Sequence, residues 1–445
     1  MLGSGCFADR QVKLLDRVSG GIDGVDHTPQ IAILVGEMPT TKTKTSRIKA
    51  SDVTGLKFFK KVRPLLETLQ DVGTSRDKAK QRDLTMDQYG VLVLMWLFNP
   101  VLTSLRGLQQ ASELKQVQKK FGVGRASLGS LSESVTIFDP EPLKQIAATL
   151  ATQVPAADPS RFDAIGKQLT AVDGSVFKTA VRVASLAWLP SKGNGSNVST
   201  PVDGYRMHTH FEILRGVPER IDATAAKPKG KDDEKAVLAA VVQSDRCYLI
   251  DRGYAKFELF NQINAKHSSY ICRARDNSKP QVVRERELTQ VDQEAGVQCD
   301  REVVLGSQTS NNTTVATDHP VRYLEIEVPP HVRTGKGGVS SDGCLRLVTN
   351  VMHVPAELIA EAYRLRWLIE LFFRMVKQLL GCRHLLSTKP NGVEIQMYLA
   401  IIACLLILIY TGRQPTKRTY EMLCFYLLDW ASLDELERHL KKLPA

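Results

Sequence analysis

The chain has 445 residues, 43% of them hydrophobic, enough for a large core and more than one domain. Its formal net charge of +11 favours a polyanionic partner, although many basic proteins never touch nucleic acid. The 8 cysteines are scattered with no C-x-x-C pair, which argues against a zinc site or a disulfide framework and fits reduced thiols in the cytoplasm.

Residues 1–50 show no sustained periodicity. Gly20, Gly21 and Gly24 interrupt them, and the start lacks the basic and then apolar pattern of a signal peptide. This stretch reads as a loose tail. Residues 51–155 turn helical. LKFFKKVRPLLETLQDV mixes apolar pairs with Lys and Arg, and LTMDQYGVLVLMWLFNP is a more buried helix ended by Asn99-Pro100. Two helical pieces follow, broken at Gly122-Val123-Gly124, with Arg125, Ser127 and Ser130 opening the second. A helix-turn-helix would place those residues in a major groove; an ordinary helical hairpin has the same pattern.

Residues 160–275 alternate strand and helix signals. KQLTAVDGS is a strand ending in Asp173-Gly174, followed by a helical or irregular piece, SVFKTAVRVASLAW, and a polar loop. Aspartate before glycine is commonly a turn, but an apolar run here delivers the carboxylate to a strand end, where open-sheet active sites lie. GYRMHTHFEILRGVPERIDAT predicts a hairpin turning at Arg215-Gly216. His208 and His210 share one face of it and, with no third ligand nearby, read as ordinary strand histidines. A short helix, DDEKAVLAAVVQ, leads to RCYLIDRGY, a buried strand presenting Asp251 at its end. AKFELFNQINAK is then a helix and SSYICRAR a strand.

Residues 276–343 change texture to Thr, Asn, Gly, Val and alternating charge, with strands at REVVLG and VRYLEIEV and a loop at RTGKGGVSSDG. Its Gly-Lys-Gly-Gly lacks the rest of a phosphate loop. Residues 344–412 open with a strand, LRLVTN, and reach YRLRWLIELFFRMVK, residues 363–377, which contains no helix breaker. At about 100° per residue, Tyr363, Arg366, Trp367, Glu370, Arg374 and Lys377 fall on one arc of a single helix. Leu365, Leu368, Ile369, Phe372, Met375 and Val376 fall on the other. Glu370 and Arg374 alone would be a surface pair worth a few tenths of a kcal/mol.

The spacing says more: Tyr, two residues, Arg, three residues, Glu, six residues, Lys. This resembles the Tyr-Arg-Glu-Lys signature of the DDE transposases of bacterial insertion sequences, the group called family four. Asp-Arg-Gly-Tyr at residues 251–254 is similar to that family's second motif. The order strand with Asp, hairpin, helix, strand with Asp, helix, strand is similar to a ribonuclease H-like core. The fold expected is therefore α/β: a ribonuclease H-like mixed sheet interrupted by a β-rich insertion, with an α-helical N-terminal domain. In the family such an N-terminal region binds the transposon end, which tips residues 51–155 towards DNA. The run Met397–Tyr410 is shorter than the roughly 20 residues a bilayer requires and reads as a buried helix of a soluble protein. Residues 413–445 are amphipathic and helical, covering the core or contacting a second subunit.

The resemblance implies that Asp173, Asp251 and Glu370 are catalytic carboxylates sharing two Mg2+ ions, with Mn2+ as a possible substitute. Carboxylates at close range raise one another's pKa, and two cations about 3.5–4 Å apart relieve this while forming a phosphoryl-transfer site. Tyr363, Arg366, Arg374, Lys377 and Arg252 would hold DNA phosphates, arginine in bidentate fashion. The implied partners are double-stranded DNA with terminal inverted repeats, target DNA, and a second copy in a homodimeric synaptic complex at the nucleoid. Two other readings remain: a ribonuclease H-like nuclease without strand transfer, and a non-catalytic DNA-binding descendant of a transposase.

Overall fold

Cys247–Ile250 and Ser269–Arg273 are runs buried on both faces, and they form adjacent parallel strands at the centre of a sheet. The structure is a computed structural model. It describes Leu66, Leu69 and residues 82–442 apart from 100, 155, 157–160, 179–203, 226–232, 275–279, 309–313, 329–342, 380–385, 388, 412–415 and 429. All of these fall in one compact unit, Lys42–Leu443. The predicted loose tail, almost all of the helix at residues 56–72, and the two long polar loops lie outside the described residues.

The strands are β1 (Gln168–Lys178), β2 (Gly204–Glu212), β3 (Val217–Ala225), β4 (Arg246–Ile250), β5 (Ser269–Arg273), β6 (Gln281–Glu285), β7 (Val297–Val304), β8 (Gly306–Gln308), β9 (Thr314–Ala316), β10 (Val321–Glu327) and β11 (Cys344–Thr349). Nine of them make one mixed sheet in the order β3-β2-β1-β4-β5-β11-β10-β7-β6, while β8 and β9 pair separately. β1, β4 and β5 run parallel; β2 and β3 form the predicted hairpin, with Gly216 supplying the positive φ of its turn. The segment read as an insertion extends the same sheet. Its β10 and β7 continue outward from β11, which pairs antiparallel with β5.

β1 corrects one expectation. The strand does not stop at Asp173-Gly174 but continues to Lys178, so Ser175–Lys178, read as helical or irregular, are extended. The reason is pairing: β2 lies opposite β1 from Thr170 to Lys178, and its register carries the strand past the glycine.

The helices are α1 (Met86–Phe98), α2 (Leu105–Glu113), α3 (Lys115–Phe121), α4 (Leu128–Ile137), α5 (Glu141–Thr152), α6 (Glu234–Ala240), α7 (Phe257–Ala265), α8 (Gln290–Glu294), α9 (Ala356–Arg364), α10 (Trp367–Leu379), α11 (Pro390–Thr411), α12 (Lys417–Leu427) and α13 (Leu433–Lys441). α7 covers one face of the sheet, where Phe260 stacks on Tyr270 at 4.2 Å and Val172, Tyr248 and Ile250 join the same core. α10 crosses the other face, with Phe372 5.4 Å from Phe211 and Lys377 over the Phe177 ring.

Residues 104–121, read as one helical piece, break at Leu114 into α2 and α3, because Leu114 is extended (φ −74°, ψ 124°). α11 is longer than its most apolar run suggested. Its residues Pro390–Ile409 are long and apolar enough to cross a bilayer, so the expectation from length fails. What fills that role here is protein: 89% of the apolar window is buried, against α1, α4, α5, α10 and β3. Asn391 at its start donates to the carbonyls of Val135 and Phe138, 2.7 Å each, and the Tyr398 hydroxyl donates to the Ile221 carbonyl.

The signature helix is also corrected. It is two helices, α9 and α10, joined by a turn at Leu365 and Arg366. Backbone bonds shift there to the i−3 pattern: Arg366 N–H to Tyr363 O at 3.1 Å, Leu368 to Leu365 at 2.9 Å, Ile369 to Arg366 at 3.2 Å. No residue in the stretch is a helix breaker, so nothing local in the sequence signals this turn.

Candidate active site

Two carboxylates are placed by adjacent parallel strands. The β1–β4 ladder ends at the pair Val172 and Ile250, and the next residue of each strand is an aspartate. Val172 and Ile250 face the α7 core, so strand alternation turns Asp173 and Asp251 towards the α10 side. Each aspartate is steadied by its own backbone. Asp173 Oδ1 accepts from the Gly174 N–H at 2.8 Å, and Asp251 Oδ1 accepts from the Arg252 N–H at 2.7 Å, capping a one-turn 3-10 helix, Arg252–Tyr254.

The third carboxylate arrives on α10. Glu370 Oε1 accepts from Arg366 Nη2 at 2.7 Å, and Arg366 Nη1 lies 3.8 Å from Asp173 Oδ2. The guanidinium is largely buried, 5.9 Å from the centre of the Tyr363 ring. The electrostatics tie the group together. Burial pushes the Asp173 carboxyl above its ordinary range; Arg366 pulls it back, and the charges of Glu370 and Asp251 push it further up. Burial works against the charge on Arg366, but Tyr363, Glu370 and Asp251 more than offset it and raise its pKa. Burial likewise raises the Tyr363 phenol. Among the described residues no three His, Cys, Asp or Glu side chains stand close enough to hold an ion by themselves. Arg366 supplies the positive charge of this arrangement.

A family model described as "Transposase DDE domain" matches residues 165–406, more than half the chain, and spans all three carboxylates. The chain belongs to this family. Its relatives include a Sinorhizobium fredii protein named as transposase y4zB, 27% identical over 49% of this chain and 55% of that one. A Geobacillus stearothermophilus protein named as a transposase for insertion sequence element IS5377 is 28% identical over 56% of this chain and 59% of that one. An Escherichia coli protein named as transposase InsL for IS186A is 23% identical over 69% and 86%. The chain thus spans a little over half the length of the first two relatives.

Within this DDE domain the remaining predicted residues are spread around the carboxylates. Lys377 lies 5.7 Å over the Phe177 ring, and burial lowers its pKa while Asp173 opposes the shift. Arg374 is exposed and covers the Trp367 ring at 5.7 Å, a surface pairing rather than a carboxylate contact. Tyr363 is buried, not on an open arc with Trp367, which is 43% exposed; the two sit on separate helices, either side of the turn at Leu365 and Arg366. Phe373, absent from the predicted apolar face, is buried beside Ile369 and Val376, one turn away on the same helix. Arg252 opens the turn behind Asp251.

The sequence did not reveal what lies behind Asp173. A Cβ on Gly174 would stand 2.6 Å from Glu234 Oε1 and 3.3 Å from Arg206 Cδ. Arg206 and Glu234 form an ion pair there, and the buried Tyr254 hydroxyl shares the field of Asp173, Arg206 and Asp251. Tyr254 was visible in Asp-Arg-Gly-Tyr, but Glu234 had no local signal, since only the crossover from β3 to β4 brings it here. Of the two histidines, His208 Nε2 bonds Thr224 Oγ1 at 2.8 Å. His210 packs edge-on against Tyr248, and burial lowers its pKa to about 4. Further off, Ser127 caps α4 by accepting from the Ser130 N–H, and Arg125 pairs with Glu113 at 3.1 Å.

Proposed function

We propose that the chain is an insertion-sequence transposase of the family-four group, cutting DNA at terminal inverted repeats and joining it to target DNA. What supports this is Arg366, bonded to Glu370 and 3.8 Å from Asp173, with the charge of Asp251 acting on both Arg366 and Asp173, in a domain of the DDE family. The strand order β3-β2-β1-β4-β5, with β1, β4 and β5 parallel, supports reading the core as ribonuclease H-like.

The donor set suits divalent ions. Carboxylates are hard oxygen ligands, though as placed here the three do not stand close enough to share an ion, so binding would require them to draw together. Asp173, Asp251 and Glu370 would hold Mg2+, or Mn2+ in its place. Bound ions would supply an activated water or DNA 3′-hydroxyl and a stabilised leaving oxygen. The chain's own residues grip and orient the substrate. Arg366, already bonded to Glu370, is placed to take a phosphate oxygen, and Lys377, Arg374 and Arg252 would line the backbone, whereas Tyr363 is buried and backs Arg366 instead of reaching DNA. Residues 51–155, including α2 to α4, bind the repeat, and two copies assemble on paired ends in the cytoplasm, at the nucleoid.

The test is cleavage of a fragment carrying the inverted repeats that flank the gene, with Mg2+. Wild-type protein should nick at the repeat boundary and yield a joined product, and Asp251→Asn should do neither. Nicking without preference for the repeat and without joining would favour a plain nuclease. Activity unchanged in Asp173→Ala and Glu370→Ala would end the catalytic reading.

A further inference from the structure

The six residues between β11 and α9 have no regular structure, and the signature helices hang from them. On the core side Asn350 accepts from the Tyr270 N–H and donates to Asn264 and to the Ser268 carbonyl. His353 Nε2 meets the Ala164 carbonyl at 2.9 Å and the Val351 N–H donates to Thr349, and the carbonyls of the segment are held from the outer strands. Arg322 of β10 donates from Nη1 to the carbonyls of Val351 at 3.3 Å and Val354 at 2.6 Å. Arg286, just past β6, donates from Nη2 to Met352 O at 3.2 Å. Carboxylates of β7 set both arginines: Asp300 accepts from Arg322 Nε at 2.8 Å and Nη2 at 2.5 Å and lies 3.4 Å from Arg286 Nε, and Glu302 accepts from Arg286 Nη1 at 3.0 Å. Arg322 is 1% and Asp300 3% exposed.

The same outer segment grips both ends of α9. Asp292 of α8 accepts the Glu357 N–H on Oδ1 at 2.8 Å, while its Oδ2 accepts from Thr289. At the far end Arg364 Nη2 donates to Ala295 O at 2.9 Å. A buried ion pair is no more stabilising than well-packed apolar residues of similar volume, so stability alone does not account for Arg322 and Asp300. Their particular property is direction. Only a guanidinium oriented by a carboxylate reaches two carbonyls three residues apart in the segment that launches α9.

We propose that the outer strands are a brace for the third carboxylate, and that Asp300, Arg322 and Asp292 are positioning residues setting α9 and α10 so that Glu370 meets Asp173 and Asp251. The brace rests on the reading of those carboxylates as an ion-holding site, but part of its test does not. Amide hydrogen exchange is measured on the full chain for wild type, Arg322→Met, Asp292→Ala and Asp292→Asn, and the affinity for Mn2+ alone is measured on the same samples. Asp292→Ala and Arg322→Met should exchange about tenfold faster across Ala356–Leu379 while β1 and β4 keep their protection. Mn2+ affinity should fall in parallel, and Asp292→Asn, which keeps an acceptor for the Glu357 N–H, should recover most of both. Unchanged exchange in Ala356–Leu379, or acceleration spread equally over β1, β4 and β5, overturns the brace. If Arg322→Met does not fold, Asp292→Ala decides by the same criteria. Asp173→Asn serves as the control for the site itself. Wild-type Mn2+ binding in that variant would remove the ion-holding reading, with the exchange pattern still judging the brace.

Discussion

At Arg366 one guanidinium answers two carboxylates, and the residues behind Asp173 show how tightly that corner is built. Gly174→Ala would drive a methyl into Glu234 and break its pair with Arg206. Because the Glu234 carboxylate is the free end of a side chain and can swing aside, we expect a stability loss of about 1 kcal/mol and slower DNA cleavage. Chemical denaturation checks the first, and Glu234→Ala in the same chain should recover part of the loss, as a double-mutant cycle would show. A second residue-scale prediction concerns Glu212, near the hairpin turn. Burial, with the charge and hydrogen bond of Glu219, raises its pKa from 4.5 to about 7, against the opposing pull of Arg215 and Arg246. The folded state therefore binds the extra proton, so this stabilisation is present below the unfolded value and lost as pH rises through the folded one. Melting temperature should fall from about pH 5 to about pH 8 in the wild type, and fall less in Glu212→Gln.

Among the elements, α11 packs against α1, α4, α5, α10 and β3, and Asn391 fixes its start to α4. Asn391→Ala would strand the carbonyls of Val135 and Phe138, at about 1–3 kcal/mol for each one left unpaired. A melting temperature within error of wild type would show that water takes over both bonds. Elements of this kind differ in how legible they are. β4 and β5 announce themselves, because a strand buried on both faces reads as an unbroken apolar run. The hairpin is equally plain from the glycine of its turn. The end of β1 is not, since Asp-Gly is a local turn signal overridden by pairing with β2. Nor is the turn at Leu365 and Arg366, which no helix breaker in the stretch announces. Spacing pointed to Glu370, and apolar runs ending in aspartate, with the family resemblance, pointed to Asp173 and Asp251, but Arg206 and Glu234 needed the fold to bring them behind Gly174.

Across the whole molecule, the sheet is one continuous object: strands read as an inserted segment extend it past β11 and reach back to the helices that carry Glu370. The helices α1, α4 and α5 meet the same α11 that α10 packs on, so the N-terminal helices and the carboxylate-bearing helix share one core element. The account's central claim is that three carboxylates, supplied by two strands and a helix, act as a single site. Groups that act as a unit are not additive when removed together. Cleavage rates with Mg2+ should therefore be measured for Asp173→Asn, Asp251→Asn, Glu370→Gln and the double variant Asp173→Asn/Glu370→Gln. Each single substitution is expected to lower the rate by about 10³-fold or more, and the double by no more than the worse single. A single variant that cuts at the wild-type rate, or a double variant whose loss is the product of its parts, would contradict it.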